Sequence, residues 1–112
     1  MEKIIGLDEY QVLALKTLKK LSDNNKQLEY GILSLCGEAG EMANLIKKKE
    51  YHNKKDITKE DFVDEASDVL WYLACIADAL GTNLSNIATY NIDKLSKRYS
   101  QGVYDETHYT KE

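Results

Sequence analysis

Two long segments of this chain carry apolar residues spaced alternately by four and three, and no proline occurs anywhere in the 112 residues. Proline is the strongest interruption a helix can meet. Four-three spacing lines one stripe along a helix. In the segment from about 27 to 50 the stripe is Leu28, Ile32, Leu35, Ala39, Met42 and Ile46. In the segment from about 58 to 80 it is Phe62, Ala66, Val69, Leu73, Ile76 and Leu80. The loop between them, YHNKKD, is short and polar. Two stripes joined by a short loop imply an antiparallel helical hairpin.

Local signals set the remaining boundaries. Thr58-Lys59-Glu60-Asp61 resembles a capping box that opens the third helix, and Gly81-Thr82-Asn83 closes it. A first helix is expected over about 7–21, through Leu7, Val12, Leu15, Leu18 and Leu21, and Ser22-Asp23-Asn24-Asn25 breaks it. A fourth runs over about 84–99, and residues 100–112 form a polar tail. The expected fold is all-α: a hairpin plus two flanking helices in one domain over 1–112. Such a hairpin has a thin core. Apolar flank positions Leu33, Leu45, Leu70 and Ala74 stay uncovered if only the stripes face inward. Dimerisation about a two-fold axis would complete a four-helix-bundle core.

Composition excludes several classes. No apolar run approaches the roughly 20 residues of a membrane span. The N-terminus MEKIIGLDEY has no signal-peptide core, so the cytoplasm is the expected location. A net charge of −4 argues against broad nucleic-acid binding. Two cysteines, Cys36 and Cys75, make no disulfide framework and read as reduced core thiols.

The chemistry lies beside the stripes. With each residue turning 100°, Glu38 and Glu41 lie about 80° and 140° to one side of the first stripe. Glu65 and Asp68 lie about 60° and 120° to the same angular side of the second. Facing antiparallel helices bring like-handed flanks together. The two acid pairs are also equidistant from position 53, the middle of the loop. Four carboxylates therefore gather in one groove. Either pair alone would suit a solvated helix face; two pairs at one height on one flank point to a metal. Unscreened carboxylates repel, and a hard divalent cation such as Mg²⁺ takes oxygen ligands. Gly37 and Gly40, beside the first pair, are expected to let backbone or substrate approach. No Glu-x-x-His follows the di-iron pattern, and no Cys/His cluster suits zinc. His52 falls in the loop and His108 in the tail. Asn91, Lys94 and Arg98 share one face of the last helix. They suit phosphate contacts or, alternatively, a solvated basic helix end.

These residues resemble a known family, the MazG-like all-α nucleoside triphosphate pyrophosphohydrolases. Its motif is Glu-x-x-Glu, a spacer, then Glu-x-x-Asp, here GEAGE (Glu38, Glu41) and DEASD (Glu65, Asp68). The likeness continues through DVLWYLACIADALG and NIDKLSKRY and spans about Tyr10 to Tyr104. Ala66-Ser67 and Ser100 depart from the Leu-Gly and Pro found in many members. The resemblance implies hydrolysis of a nucleoside triphosphate to monophosphate and pyrophosphate, with Mg²⁺ (or Mn²⁺) held by the four carboxylates. It implies polyphosphate contacts from Lys94 and Arg98, with Asn91 in the same pattern, and places Tyr72 toward the nucleotide. It also implies a homodimer or a pair of dimers. One carboxylate, such as Glu41, would orient or deprotonate the attacking water. The alternatives are a non-catalytic helical interaction module and the related phosphoribosyl-ATP pyrophosphohydrolase.

Overall fold

The computed structural model describes residues 3–4, 6–19 and 23–99; the expected tail and Leu21 lie outside the described residues. Among the described residues there are four helices: α1 (Leu7–Leu15), α2 (Asn24–Tyr51), α3 (Lys59–Ala79) and α4 (Leu84–Arg98). No strand occurs among the described residues. No helix among them is long and apolar enough to cross a membrane.

Each boundary has a local cause. Asp23 caps α2 by accepting from the Lys26 N–H at 2.7 Å, so the helix opens at Asn24, three residues before the expected start. The Asp61 carboxylate reaches back to the Thr58 N–H at 2.8 Å, one half of the expected capping box. At the end of α3, Gly81 takes φ of 71°, the left-handed region that suits glycine. The Thr82 N–H then reaches the Ala77 carbonyl at 2.9 Å, and the Gly81 N–H reaches that of Asp78 at 3.0 Å. Asn83 opens α4 by accepting from the Asn86 N–H at 2.8 Å.

The first helix is shorter than expected. It ends at Leu15 because the Ala14 carbonyl, which a continuing helix would offer to Leu18, is taken by other donors. The Thr17 N–H (3.0 Å), the Thr17 hydroxyl (2.7 Å) and the Trp71 indole N–H (3.3 Å) all converge on it. The Leu18 N–H turns instead to Leu15 at 3.1 Å.

Helices α2 and α3 make the most extensive contact and run antiparallel. Their shared face is not the stripe alone. Gly31 is buried against Cys75 and Ile76, and a Cβ on Gly31 would stand 2.8 Å from Ile76 Cγ1. The fully buried Gln27 amide donates to the Cys75 carbonyl (3.0 Å) and the Asp78 carboxylate (2.8 Å). This contact turns α2 toward its small and polar flank. Ile32 and Ile46 of the expected stripe, with Leu33, are left exposed.

Two expectations change accordingly. Leu70 and Ala74 need no second copy to cover them. Ala74, Ala77 and Leu84 form a buried cluster, with Tyr10 and Leu70 packed against it. Gln11 ties α1 to this corner by accepting from the Leu84 N–H at 2.8 Å. Cys75 is buried as a core thiol, but Cys36 is exposed on the outer side of α2.

Replacing Gly31 by Ala should therefore loosen the pair. Overpacking costs about 1–3 kcal/mol, and the gain in helix propensity offsets about 1 kcal/mol of it. The expected net effect, a loss of roughly 0–2 kcal/mol, can be read from urea unfolding midpoints.

Candidate active site

The hairpin register brings carboxylates together from both long helices. Glu38 of α2 and Glu65 and Asp68 of α3 each place one carboxylate oxygen within 4.8 Å of the others. Glu38 and Glu65 are half-buried, and Asp68 is exposed. Glu41 lies one turn further along α2 and is exposed, outside this close trio. Its charge still bears on Glu65. The Glu65 carboxyl is held above its ordinary pKa, first by partial desolvation, then by a hydrogen bond and the charge of Glu38, and then by Glu41 and Asp64. The donor set is all oxygen, like-charged and convergent. That fits a hard divalent cation, which would replace mutual repulsion with attraction.

A ring cluster adjoins the trio. A cavity of about 440 Å³ is lined by Tyr30, Glu38, Asp68, Trp71 and Tyr72. The Tyr72 phenol is raised, chiefly by a hydrogen bond to Tyr30, then by burial; a hydrogen bond to Ser34 acts in the opposite sense. Tyr10 of α1 stands close enough for the Asp68 charge to raise its phenol, after burial. Tyr72 was expected beside the nucleotide and lines this cavity. Tyr10, Tyr30 and Trp71 were not singled out from the sequence. A usable signal existed for Trp71: it lies three residues beyond Asp68, hence on the same helix face.

The other expected site residues lie elsewhere. Asn91, Lys94 and Arg98 are on α4, which contacts α1 and α3 but not α2. None of them lines the carboxylate cavity. Asn91 is exposed, Lys94 and Arg98 are half-buried, and Arg98 Nε is buried without a hydrogen-bond partner among the described residues. Gly37 and Gly40 meet nothing within 4 Å of an added Cβ, so nothing in a single described chain uses the space beside them.

Comparison with known proteins bears directly on this carboxylate groove. The MazG nucleotide pyrophosphohydrolase domain matches residues 26–103, which include α2 from its third residue onward and all of α3 and α4. The chain belongs to that family. It is 39% identical over 84 residues to the Gene 37 protein of Mycobacterium phage L5, covering 72% of this chain and 74% of the relative. It is 28% identical over 98 residues to the uncharacterised protein YvdC of Bacillus subtilis (strain 168), covering 77% and 92%. No solved structure matches. Membership in this family points to nucleotide pyrophosphohydrolysis and to use of a metal.

The electrostatics make a direct prediction. Glu65→Gln removes one of the repelling charges, so the metal-free variant should melt above the metal-free wild type. Mg²⁺ should stabilise the folded wild type by mass action, by about 2.7 kcal/mol at one hundred times its Kd, and so raise its Tm. The same Mg²⁺ should add little to Glu65→Gln. Thermal melts in EDTA and in Mg²⁺ check both halves.

Proposed function

We propose that this chain hydrolyses a nucleoside triphosphate, a deoxynucleotide or a non-standard nucleotide, to the monophosphate and pyrophosphate in the cytoplasm, with Mg²⁺. The observation that carries the reading is the convergence of Glu38, Glu65 and Asp68 from two helices, within a matched MazG domain. Glu38, Glu65 and Asp68, with Glu41 beside them, hold the metal. Mg²⁺ supplies charge neutralisation at the phosphates and acidifies water there, and Mn²⁺ would substitute. Glu41, exposed one turn along α2 from Glu38, is proposed to orient the attacking water and accept its proton. Water adds across the α–β anhydride, that bond breaks, and pyrophosphate leaves.

The test is a screen of common and modified nucleoside triphosphates with Mg²⁺ or Mn²⁺, scoring each product. Monophosphate with pyrophosphate is expected, and Glu38→Gln should reduce kcat by about a hundredfold or more, as loss of a charge-stabilising group does. Orthophosphate with diphosphate would contradict the assigned bond. Phosphoribosyl-ATP belongs in the screen, since turnover of that compound alone would assign the chain to histidine synthesis. A chain that turns over nothing and melts identically with and without Mg²⁺ would be an interaction module.

The working unit is proposed to be a homodimer or a dimer of dimers. Exposed Ile32, Leu33 and Ile46 on α2, and Tyr90 and Ile92 on α4, motivate this. Since α4 does not touch α2 of its own chain, Asn91, Lys94 and Arg98 are proposed to reach the polyphosphate in a groove of the partner copy. Light scattering should give at least twice the chain mass. Mixed after co-refolding, Glu38→Gln and Lys94→Ala chains should regain activity that neither has alone. An active species of one chain's mass would defeat both claims.

A further inference from the structure

The cavity beside the carboxylates has a wall that hydrolysis does not use. Glu38 and Asp68 line it together with three aromatic rings. The rings lie displaced along the hairpin from the acids, Trp71 and Tyr72 about one turn beyond Asp68 on α3 and Tyr30 about two turns before Glu38 on α2. Its volume of about 440 Å³ lies within the range of small-molecule sites. The rings are arranged about Tyr72. Tyr30 meets it with centroids 5.9 Å apart and planes at 67°, and Trp71 meets it at 5.0 Å and 90°. Neither Tyr30 nor Trp71 has a second ring partner among the described residues.

The two outer rings are held differently. The Trp71 indole N–H donates to the Thr17 hydroxyl at 3.0 Å and to the Ala14 carbonyl at 3.3 Å. The indole is thereby fixed at the end of α1, so little side-chain freedom is lost when a ligand meets it. Tyr30 is 44% exposed, open enough for a ligand to reach its ring. The Tyr72 hydroxyl lies near enough to Tyr30 and Ser34 for both to shift its pKa, so polar groups stand beside the rings as well.

We infer that Trp71 and Tyr30 seat the nucleobase of the substrate against Tyr72, at the end of the cavity further along the hairpin from the metal-holding carboxylates. This rests on the nucleoside triphosphate reading above. A nucleotide is anionic at one end and flat, aromatic and polar-edged at the other. A cavity with cation-holding acids toward one end and rings toward the other matches that division. Stacking tolerates any base, because every base has a π-face. Selection among bases falls to the Tyr30 and Tyr72 hydroxyls, each able to donate and accept at a base edge.

Trp71 is the chain's one tryptophan, so its emission reports on this wall. Three probes separate the parts of the claim: nucleosides without phosphate, α,β-methylene nucleoside triphosphates with Mg²⁺, and inorganic tripolyphosphate with Mg²⁺. Nucleosides and methylene analogues should quench the emission, and tripolyphosphate should bind by calorimetry without quenching. Tyr30→Ala should weaken the analogues by about 5- to 100-fold and leave tripolyphosphate unchanged. Trp71→Phe keeps a ring and should lose less analogue affinity by calorimetry than Trp71→Ala. Equal quenching by tripolyphosphate, unchanged analogue affinity and base preference in Tyr30→Ala, or no quenching by any nucleoside or analogue would each overturn the inference. Quenching by nucleosides with no Mg²⁺-dependent binding of either polyphosphate would sink the triphosphate reading and leave the aromatic seat standing.

Discussion

The close approach of α2 and α3 at Gly31 sets everything that follows. With no Cβ at that position, Cys75 and Ile76 come against the α2 backbone. Gln27, one turn earlier, fixes the sliding register through bonds to Cys75 and Asp78. A buried amide is costly unless its hydrogen bonds are made, so a shift of one helix along the other is opposed by polar groups as well as by packing. From this contact the antiparallel pairing runs down the hairpin until Glu38 stands opposite Glu65 and Asp68.

That arrangement places repulsion on an open, half-buried stretch of the hairpin, away from the buried cluster. The raised pKa of Glu65 records the conflict: folding brings its carboxyl beside Glu38 and within reach of Glu41. Local groups disagree in this way most often where chemistry is performed. The stability that offsets it comes from the far end of α3. There Ala74, Ala77 and Leu84 are buried, and Gln11 satisfies the backbone at the start of α4. Like charge and apolar packing are thus separated along one helix.

Trp71 links these two regions. Its indole N–H shares the Ala14 carbonyl with Thr17, and α1 stops there. The same ring lines the carboxylate cavity. The length of α1 and the shape of the cavity wall therefore have one cause, a contact between residues 57 positions apart.

Periodicity was enough for the hairpin, because a four-three stripe without proline has few other folded outcomes. The same arithmetic placed Glu38, Glu65 and Asp68 on one side at one height, since helix geometry converts spacing directly into angle and rise. Caps were legible at Thr58 and Gly81 for the same local reason. Spacing did not reveal which flank of each stripe would face inward. The missing Cβ at Gly31 favours a rotation of α2 that leaves Ile32 and Ile46 outside, and a stripe drawn from hydrophobicity alone does not weigh that space. Nor did spacing reveal that Leu70 and Ala74 would be covered by α1 and α4, or that α1 would end at Leu15. Those outcomes depend on residues distant in sequence competing for the same surface or the same carbonyl. The helices and the angular placement of their acids are legible from spacing alone, because both follow from local geometry. How closely the helices meet and which rings stand beside the acids emerge only on packing, because these depend on contacts between distant parts of the chain.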